Sequence, residues 1–247
     1  MATENGLDVL AVFSHPDDAE LTMAGTLIKL KALGYRTGVL DMTRGEMGTR
    51  GTPEIRAKEA LDAAALMGLD LRLNLEQPDA HLSPNDEAKQ AMVRVFRRHQ
   101  PKLIFTSHWD DPHPDHAATS NIVRQAARLA TMARYDADSG LRATKMPSIA
   151  HAVYSRLIMP SFIVDVSEFA DRKMKAIRAY ASQFYDTSSR EPETRISVRG
   201  FLQEVEWRMR YYGTLIGVEA GEAFYVREAL NVDDPVALLT RSMNIYS

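Results

Sequence analysis

Short apolar runs alternate with longer segments of helical periodicity through the first hundred residues. The run from Asp8 to Ser14 is β-branched and aliphatic, and the segment from Glu20 to Leu33 carries apolar residues every three or four positions before Gly34. The same reading predicts strands at Thr37–Met42, Asp70–Leu75 and Lys102–Ser107, and helices at Pro53–Met67 and Asn85–His99. Strands that alternate with helices of this length indicate βαβ units. We therefore predict an α/β fold with a doubly wound, mostly parallel sheet.

The second half of the sequence has a less regular pattern. It predicts a helix at about His116–Met132, strands near His151–Arg156 and Phe162–Val166, and helices near Ser167–Ser182 and Ile196–Tyr212. Two polar stretches, Asp136–Met146 and Tyr185–Thr194, are expected to be mobile loops. Because no repeat, low-complexity tract or linker separates the two halves, we expect residues 1–247 to form a single domain.

Charge and composition exclude several classes of partner and metal site. The formal net charge is −3 at pH 7, so no long-range attraction to nucleic acid or to anionic lipid is expected. We find no signal-peptide pattern at the first residues and no run long enough to span a membrane, so we expect a cytoplasmic protein. There is no cysteine, which leaves His, Asp and Glu as the strong metal ligands.

Two clusters of chemically active residues follow predicted strands. His15-Pro16-Asp17-Asp18-Ala19-Glu20 follows the first strand, and Asp110-Asp111-Pro112-His113-Pro114-Asp115-His116 follows the fourth. Each cluster alone fits an ordinary helix cap or turn. Together they are better explained by function, because open α/β sheets bind ligands at the carboxyl ends of their strands.

The two clusters contain a complete set of groups for metal-assisted hydrolysis. A catalytic zinc site needs about three protein ligands and an open position. His15, Asp18 and His116 supply such a set. Asp17 adjoins a ligand and is predicted to be the general base, and His113 is predicted to stabilise an oxyanion or to protonate a leaving amine. Either Asp115 or Asp110 is expected to orient the His113 ring.

At these residues the chain resembles the PIG-L/LmbE-like family of zinc-dependent N-acetylglucosamine deacetylases, whose marks are His-Pro-Asp-Asp-x-Glu after the first strand and a later His-Pro-Asp-His. Further similar segments begin at Asp41, Arg72, Ala179 and Glu222. The resemblance implies a Rossmann-like, LmbE-like fold and the same roles for the residues of the two clusters. It is greatest to the bacterial branch that includes the N-acetylglucosaminyl-malate deacetylase of bacillithiol synthesis.

Substrate contacts are harder to predict than metal ligands. Arg44 and Arg50, in a glycine-rich loop after the second strand, and Asp79, after the third, are predicted to bind substrate. Pro112 and Ile149 stand where the malate-specific branch tends to carry arginine, the usual clamp for a carboxylate, so strict malate specificity is not expected. The loop lacks the glycine spacing of a dinucleotide site.

The resulting prediction is metal-dependent hydrolysis of the acetamide of an N-acetylglucosamine-type substrate or conjugate, which releases acetate and a free amine. The predicted metal is Zn²⁺, with Fe²⁺ or another divalent ion as alternatives. The alternative functions are hydrolysis of another small N-acyl substrate and non-catalytic sugar binding on the same scaffold. A small-molecule partner is expected, without nucleic acid or membrane, and the Met- and aromatic-rich C-terminal third suggests a homo-oligomer.

Overall fold

The computed structural model describes residues 6–154 and 158–240, and these contain one sheet of seven strands. The strand order is β3-β2-β1-β4-β5-β7-β6. The first five strands in this order are parallel, and β7 runs antiparallel to both of its neighbours. The strands are β1 (Val9–Phe13), β2 (Thr37–Asp41), β3 (Leu71–Asn74), β4 (Leu103–Ser107), β5 (Ser148–Ala152), β6 (Phe162–Asp165) and β7 (Gly221–Tyr225).

Helices cover both faces of this sheet. They are α1 (Asp18–Ala32), α2 (Pro53–Met67), α3 (Asp86–His99), α4 (Pro114–Ala130), α5 (Ala170–Arg178), α6 (Phe201–Thr214) and α7 (Pro235–Leu239). Successive residues of a strand point to opposite faces, so Leu10 and Val12 of β1 pack against α3 and α4, whereas Ala11 and Phe13 pack against α1. The predicted doubly wound, mostly parallel α/β sheet is confirmed. Across the two described ranges, no helix is both long enough and apolar enough to cross a membrane.

Local signals explain why the boundaries in the first half agree with the sequence. The Thr52 side chain accepts the Ile55 amide at the start of α2, and Asn85 accepts the Ala88 amide at the start of α3. Gly68 ends α2 in the left-handed region, with φ of 73°. These polar caps satisfy backbone donors at the helix ends, which is why the helices start where the pattern places them.

The second half differs from the sequence prediction in several places. The helix α7 was not predicted, and α6 begins at Phe201, five residues after the predicted start. The predicted strand near His151–Arg156 is observed at Ser148–Ala152, and Arg156 lies outside the described residues. The predicted helix from Ser167 is a short 3₁₀ turn followed by α5, and β7 was not predicted at all. The pattern of β7 is hidden because its second residue, Glu222, is buried and paired with a lysine rather than exposed.

Glu222 also explains a break in α1, the helix that begins with Asp18. Met23 has non-helical φ and ψ angles of −146° and 19°, and the Glu222 carboxylate accepts the amides of Gly25 and Thr26 at 3.0 and 2.6 Å. Lys173 Nζ donates to Glu222 Oε1 at 2.6 Å and to the Leu21 carbonyl at 3.0 Å. The buried ion pair therefore satisfies backbone groups that the break leaves without helical partners.

Candidate active site

The two sequence clusters meet at the carboxyl edge of the sheet. β1 and β4 are direct parallel neighbours, and the strand order reverses between them because β2 and β3 lie on one side and β5 on the other. A reversal of this kind opens a crevice in which α/β proteins bind ligands. A cavity of about 720 Å³ opens there, and its walls include His15, Asp18 and His116.

The side chains of the three predicted metal ligands converge on one point. His15 Nδ1 lies 3.2 Å from Asp18 Oδ2, and His116 Nε2 lies 3.3 Å from the same oxygen. One potential ligand atom from each residue lies within 4.8 Å of the other two. Asp18 is the first residue of α1 and His116 lies in the first turn of α4, so the packing of these two helix starts beside β1 and β4 sets the geometry.

A second group with ligand spacing overlaps the first and consists of His15, His113 and Asp115. The carboxylate of Asp115 already has structural partners, because it accepts the amides of Ala80 and Leu82 at 2.8 and 3.2 Å. Asp115 is almost fully buried. Its geometry therefore fits a residue that ties α4 to the loop after β3 better than it fits a metal ligand.

Carboxylates orient both histidines of the first group from behind. Asp79 Oδ1 and Asp115 Oδ2 lie 3.1 and 3.3 Å from His15 Nε2, and Asp111 Oδ1 lies 3.0 Å from His116 Nδ1. Such partners set the tautomer and the direction of a metal-binding imidazole. The Asp115 carboxylate thus contacts His15 rather than the His113 ring. Asp110, the other residue predicted to orient His113, is exposed and donates its amide to His108 Nδ1.

The electrostatics of this group suit a cation. Burial lowers the pKa of His116, but the Asp18 and Asp111 carboxylates outweigh it and raise that pKa to about 10. Burial is likewise outweighed at His15, whose pKa is raised by Asp18, Asp115 and Asp79. The carboxylates around the two imidazoles therefore favour positive charge at this point of the site. Nitrogen and carboxylate oxygen are ligands of Zn²⁺ and of other divalent transition metals, so the donor set fits such an ion.

Asp17 lies beside the three-residue group without belonging to it. Its φ of 113° is in the left-handed region, which is rare for aspartate, and its side chain makes no capping hydrogen bond to α1. Arg56 Nη2 donates to the Pro16 carbonyl at 2.5 Å and to Asp17 Oδ2 at 3.2 Å. Gly45 leaves room for this guanidinium, because a Cβ at position 45 would lie 2.0 Å from Arg56 Nη1 and would force the arginine to move. Strained backbone that the surrounding contacts hold in place is typical of functional sites.

The charge state of Asp17 reflects the same surroundings. Burial raises the pKa of the Asp17 carboxyl to about 7, although the Arg56 guanidinium lowers it. A carboxyl group whose pKa is close to neutrality can accept a proton and release it again at physiological pH. Asp17 therefore does not act as a helix cap, because its side chain makes no capping hydrogen bond. Its raised pKa suits a residue that accepts and releases a proton.

His113 stands at the start of α4, on the rim of the cavity. Its ring stacks on His116 at 4.5 Å between centroids and meets the His15 ring edge-on at 4.9 Å. Its Nδ1 accepts the amide of Asp115 at 3.3 Å, so the neutral ring carries its proton on Nε2. Burial, followed by the neighbouring His116 and His15, lowers the pKa of His113. The arrangement brings an imidazole donor to the same wall as the three-residue group.

The three predicted substrate-binding residues lie in different places. Asp79 lines the cavity, but its carboxylate already accepts the amides of Met47 and Ala80 and contacts His15. Arg44 is exposed and lines a separate cavity of about 200 Å³ between α2 and the β2–β3 edge. Arg50 is buried at 5% exposure, with its Nε 3.6 Å from Glu191, and is absent from the cavity wall.

Other residues of the cavity wall were not predicted. Arg56, on α2 just after the glycine-rich loop, was not among the predicted site residues, yet it is buried at 5% exposure beside Asp17. Tyr154 follows β5, and Arg195 and Arg208 lie just before and on α6. The sequence signal for Arg56 is its position on a predicted helix directly after the glycine-rich loop. No local pattern marks the others, because they reach the cavity through long-range packing.

The fold and the site together define an α/β protein with a candidate metal site at the switch point of its sheet. Residues 10–127 match the PIG-L family, described as GlcNAc-PI de-N-acetylase. The chain is 30% identical over 189 residues to a probable N-acetyl-α-D-glucosaminyl L-malate deacetylase 2 from Bacillus cereus, and the match covers 71% of this chain and 83% of that protein. The chain belongs to the PIG-L family.

Solved structures agree with this assignment. The conserved protein TT1542 from Thermus thermophilus is 36% identical, with a TM-score of 0.81 that covers 92% of this chain and 98% of that one. The N,N'-diacetylchitobiose deacetylase from Pyrococcus horikoshii is 28% identical, with a TM-score of 0.76 over 88% of this chain and 82% of that one. The family resemblance expected from the two sequence motifs is therefore confirmed.

Proposed function

We propose that this protein is a metal-dependent deacetylase that hydrolyses the acetamide of an N-acetylglucosamine-type substrate. The observation that carries the proposal is the convergence of His15, Asp18 and His116 on one point, with Asp17 held beside them by a separate contact. A hydrolase needs both a metal-binding group and an uncoordinated base, whereas a sugar-binding protein has no use for the second.

Each residue has a distinct task in this proposal. His15 Nδ1, Asp18 and His116 Nε2 would hold the metal, and Asp79, Asp115 and Asp111 would keep the two imidazoles in position. A bound divalent ion would supply Lewis acidity, polarising the acetamide carbonyl and acidifying a water. Zn²⁺ is the ion proposed, with Fe²⁺ or another divalent metal as the alternative in the cell.

Asp17 would accept the proton of the attacking water. Its carboxylate is positioned by Arg56 and not by the metal group, so it can change charge without releasing a ligand. The Pro16 carbonyl is held by the same guanidinium, which fixes the strained backbone at Asp17. The proton taken by Asp17 can then be passed on to the departing amine, which leaves as the free amino sugar while acetate is formed.

His113 would act on the opposite side of the acetamide. Its Nδ1 is occupied by the Asp115 amide, so Nε2 is the nitrogen that can donate to an oxyanion or to the departing nitrogen. The stacked contact with His116 restricts the ring orientation. Donors that are already oriented stabilise developing charge without reorganisation.

Relatives support an amino-sugar substrate. The Bacillus cereus relative is named for a malate conjugate and the Pyrococcus horikoshii enzyme for diacetylchitobiose, so the acetylated glucosamine unit is shared and the attached group differs. Hydrolysis of a different small N-acyl group is the second candidate, because the same residues could attack any acetamide that the cavity admits.

The test is release of a free amine and of acetate from a panel of acetylated compounds. The panel contains methyl N-acetylglucosaminide, diacetylchitobiose, N-acetylglucosaminyl malate and two N-acetyl amino acids, each incubated with zinc-loaded protein. The proposal predicts equal amounts of amine and acetate from the sugar compounds. Turnover of the amino acids alone would support the second candidate, and turnover of none would contradict a hydrolase function.

A further inference from the structure

Three arginines line the cavity that contains the His15, Asp18 and His116 group, and two of them are already paired with acids. Arg56 contacts Asp17 at 3.2 Å, and Arg195 Nη2 contacts Glu204 at 2.5 Å. The third, Arg208 of α6, has no hydrogen-bond or ion-pair partner among residues 6–154 and 158–240. One of its terminal nitrogens, Nη1, is buried without a partner. Buried donors normally have partners, so this guanidinium requires an explanation.

The guanidinium is nevertheless held in one place. Its Cζ lies 4.1 Å from the centroid of the Tyr154 ring, a stacking geometry that orients the planar group without using its N–H donors. Tyr154 lines both the large cavity and a smaller one that reaches Asp18, Asp111 and His116. One aromatic ring therefore separates the metal-binding group from an oriented cation with unused donors.

We propose that Arg208 binds an anionic group, carboxylate or phosphate, attached to the amino sugar that this protein deacetylates. A planar guanidinium without a hydrogen-bond or ion-pair partner on the wall of a cavity suits a carboxylate or a phosphate, which such a group binds through its N–H donors. A cavity of about 720 Å³ lies in the size range that holds drug-sized ligands, so it has room for a substituent. The inference rests on the proposed deacetylase function.

Arg208 would supply the positive charge that is missing at Pro112 and Ile149, the two positions where the malate-specific branch tends to carry arginine. Pro112 lies on the cavity wall beside His113 and carries no charge. Ile149, on β5, packs against the apolar core that includes α3 and α4. Arg44 and Arg50, the loop arginines, are absent from the cavity wall. Arg208 reaches the cavity wall from α6, a different element from those that carry Pro112 and Ile149, and would provide the positive charge there.

The experiment compares two anionic substrates with one neutral substrate in wild type, two Arg208 variants and a control variant. kcat/KM is measured for N-acetylglucosaminyl malate, for N-acetylglucosamine 1-phosphate and for the neutral methyl N-acetylglucosaminide, with wild type, Arg208→Gln and Arg208→Lys. We expect the anionic-to-neutral ratio to fall about 10- to 100-fold in Arg208→Gln, as for a lost charge-assisted hydrogen bond, and to fall less in Arg208→Lys. The control is Arg210→Gln, two residues away on the exposed side of α6, which should leave the ratio unchanged.

The two anionic substrates distinguish the source of the charge. A ratio that falls only for the malate compound identifies a carboxylate site, and one that falls only for the phosphate identifies a phosphate site. An equal loss of kcat/KM on the neutral and both charged substrates would overturn the inference, because it would show a structural role for Arg208. An unchanged ratio would overturn it as well.

A binding measurement keeps this inference separate from the proposed reaction. The deacetylated products, glucosaminyl malate and methyl glucosaminide, are titrated calorimetrically into wild type and Arg208→Gln, with no turnover required. Tighter binding of the malate compound by wild type, reduced about 10-fold or more in the variant, would support the anion site even if no acetate were released. Equal binding of the two compounds by wild type would overturn it, whatever the result of the activity assay.

Discussion

Arg56 Nη2 lies 3.2 Å from Asp17 Oδ2, and the same nitrogen donates to the carbonyl of Pro16. This buried contact fixes the carboxylate and the strained backbone of Asp17 together. It lowers the pKa of the Asp17 carboxyl and so opposes the effect of burial, which is larger and leaves that pKa raised to about 7. The base proposed for this site is therefore controlled by a residue on α2, outside both sequence motifs.

Removal of this guanidinium should impair the base without removing the metal site. In Arg56→Met the pKa of Asp17 should rise, so the acidic limb of the kcat profile should move to higher pH and kcat at neutral pH should fall about 10- to 100-fold. Metal content should stay near that of wild type. Lys58→Met, an exposed change two residues along α2, is the control. A normal pH profile in Arg56→Met would contradict the role given to this contact.

Asp17 and His113 should be separable from the metal group by mutation. Asp17→Asn and His113→Gln should each lower kcat by about 10²–10⁴ while metal content, measured by elemental analysis, stays near wild type. The reason is that neither side chain belongs to the group of His15, Asp18 and His116. Loss of metal from His113→Gln would favour the overlapping group of His15, His113 and Asp115 instead.

His151 should make the folded state sensitive to mild acid. It is fully buried at the end of β5, and its Nδ1 lies 2.9 Å from the Ser107 carbonyl. Burial lowers the pKa of His151 from 6.5 to about 4, so between these values the unfolded chain binds a proton that the folded chain does not. Stability is therefore complete above about pH 6.5 and decreases as the pH falls towards about 4.

Urea unfolding of wild type and His151→Gln measures this contribution. Between about pH 7.5 and about pH 5, the free energy of unfolding of wild type should decrease by about 2 kcal/mol more than that of the variant. The variant is needed because carboxylates titrate in the same range in both proteins. Parallel decreases in the two proteins would show that His151 is not the titrating group.

The ion pair between Lys173 and Glu222 should contribute far more to stability than a surface pair. Lys173→Met would leave Glu222 buried and charged beneath the break in α1, which should cost about 3–5 kcal/mol in urea unfolding. Lys102→Met is the matched control, because Lys102 pairs with Asp8 at 2.6 Å while 79% exposed, and it should cost less than about 1 kcal/mol. Equal effects of the two changes would contradict the structural role of Glu222.

The sequence predicted those parts of the site that follow strands. His15, Asp18 and His116 could be grouped because their motifs come directly after parallel strands, and β1 and β4 prove to be neighbours. Apolar periodicity placed the first four strands and their helices because their repeats are clear, and polar caps mark the starts of α2 and α3. Local sequence pattern was sufficient to predict the strands and helices that are consecutive in the chain and adjacent in the sheet.

Residues that reach the site through long-range packing could not be predicted from local sequence pattern. Arg208 and Tyr154 come from α6 and the segment after β5, and only the packed fold brings them to the cavity. Arg44 and Arg50 belong to the expected loop, but their side chains line another cavity or the protein interior. The strand β7 was missed because its buried glutamate breaks the apolar pattern and is compensated by a lysine distant in sequence.

The most direct test of the central claim is a metal titration of acetate release. Protein stripped with a chelator is titrated with Zn²⁺, and acetate release from methyl N-acetylglucosaminide and N-acetylglucosaminyl malate is followed together with bound metal. We predict that activity rises in proportion to bound zinc and saturates at about one ion per chain, and that His116→Ala neither retains the ion nor becomes active. Full activity in the stripped protein, or unchanged zinc binding and activity in His116→Ala, would contradict the account.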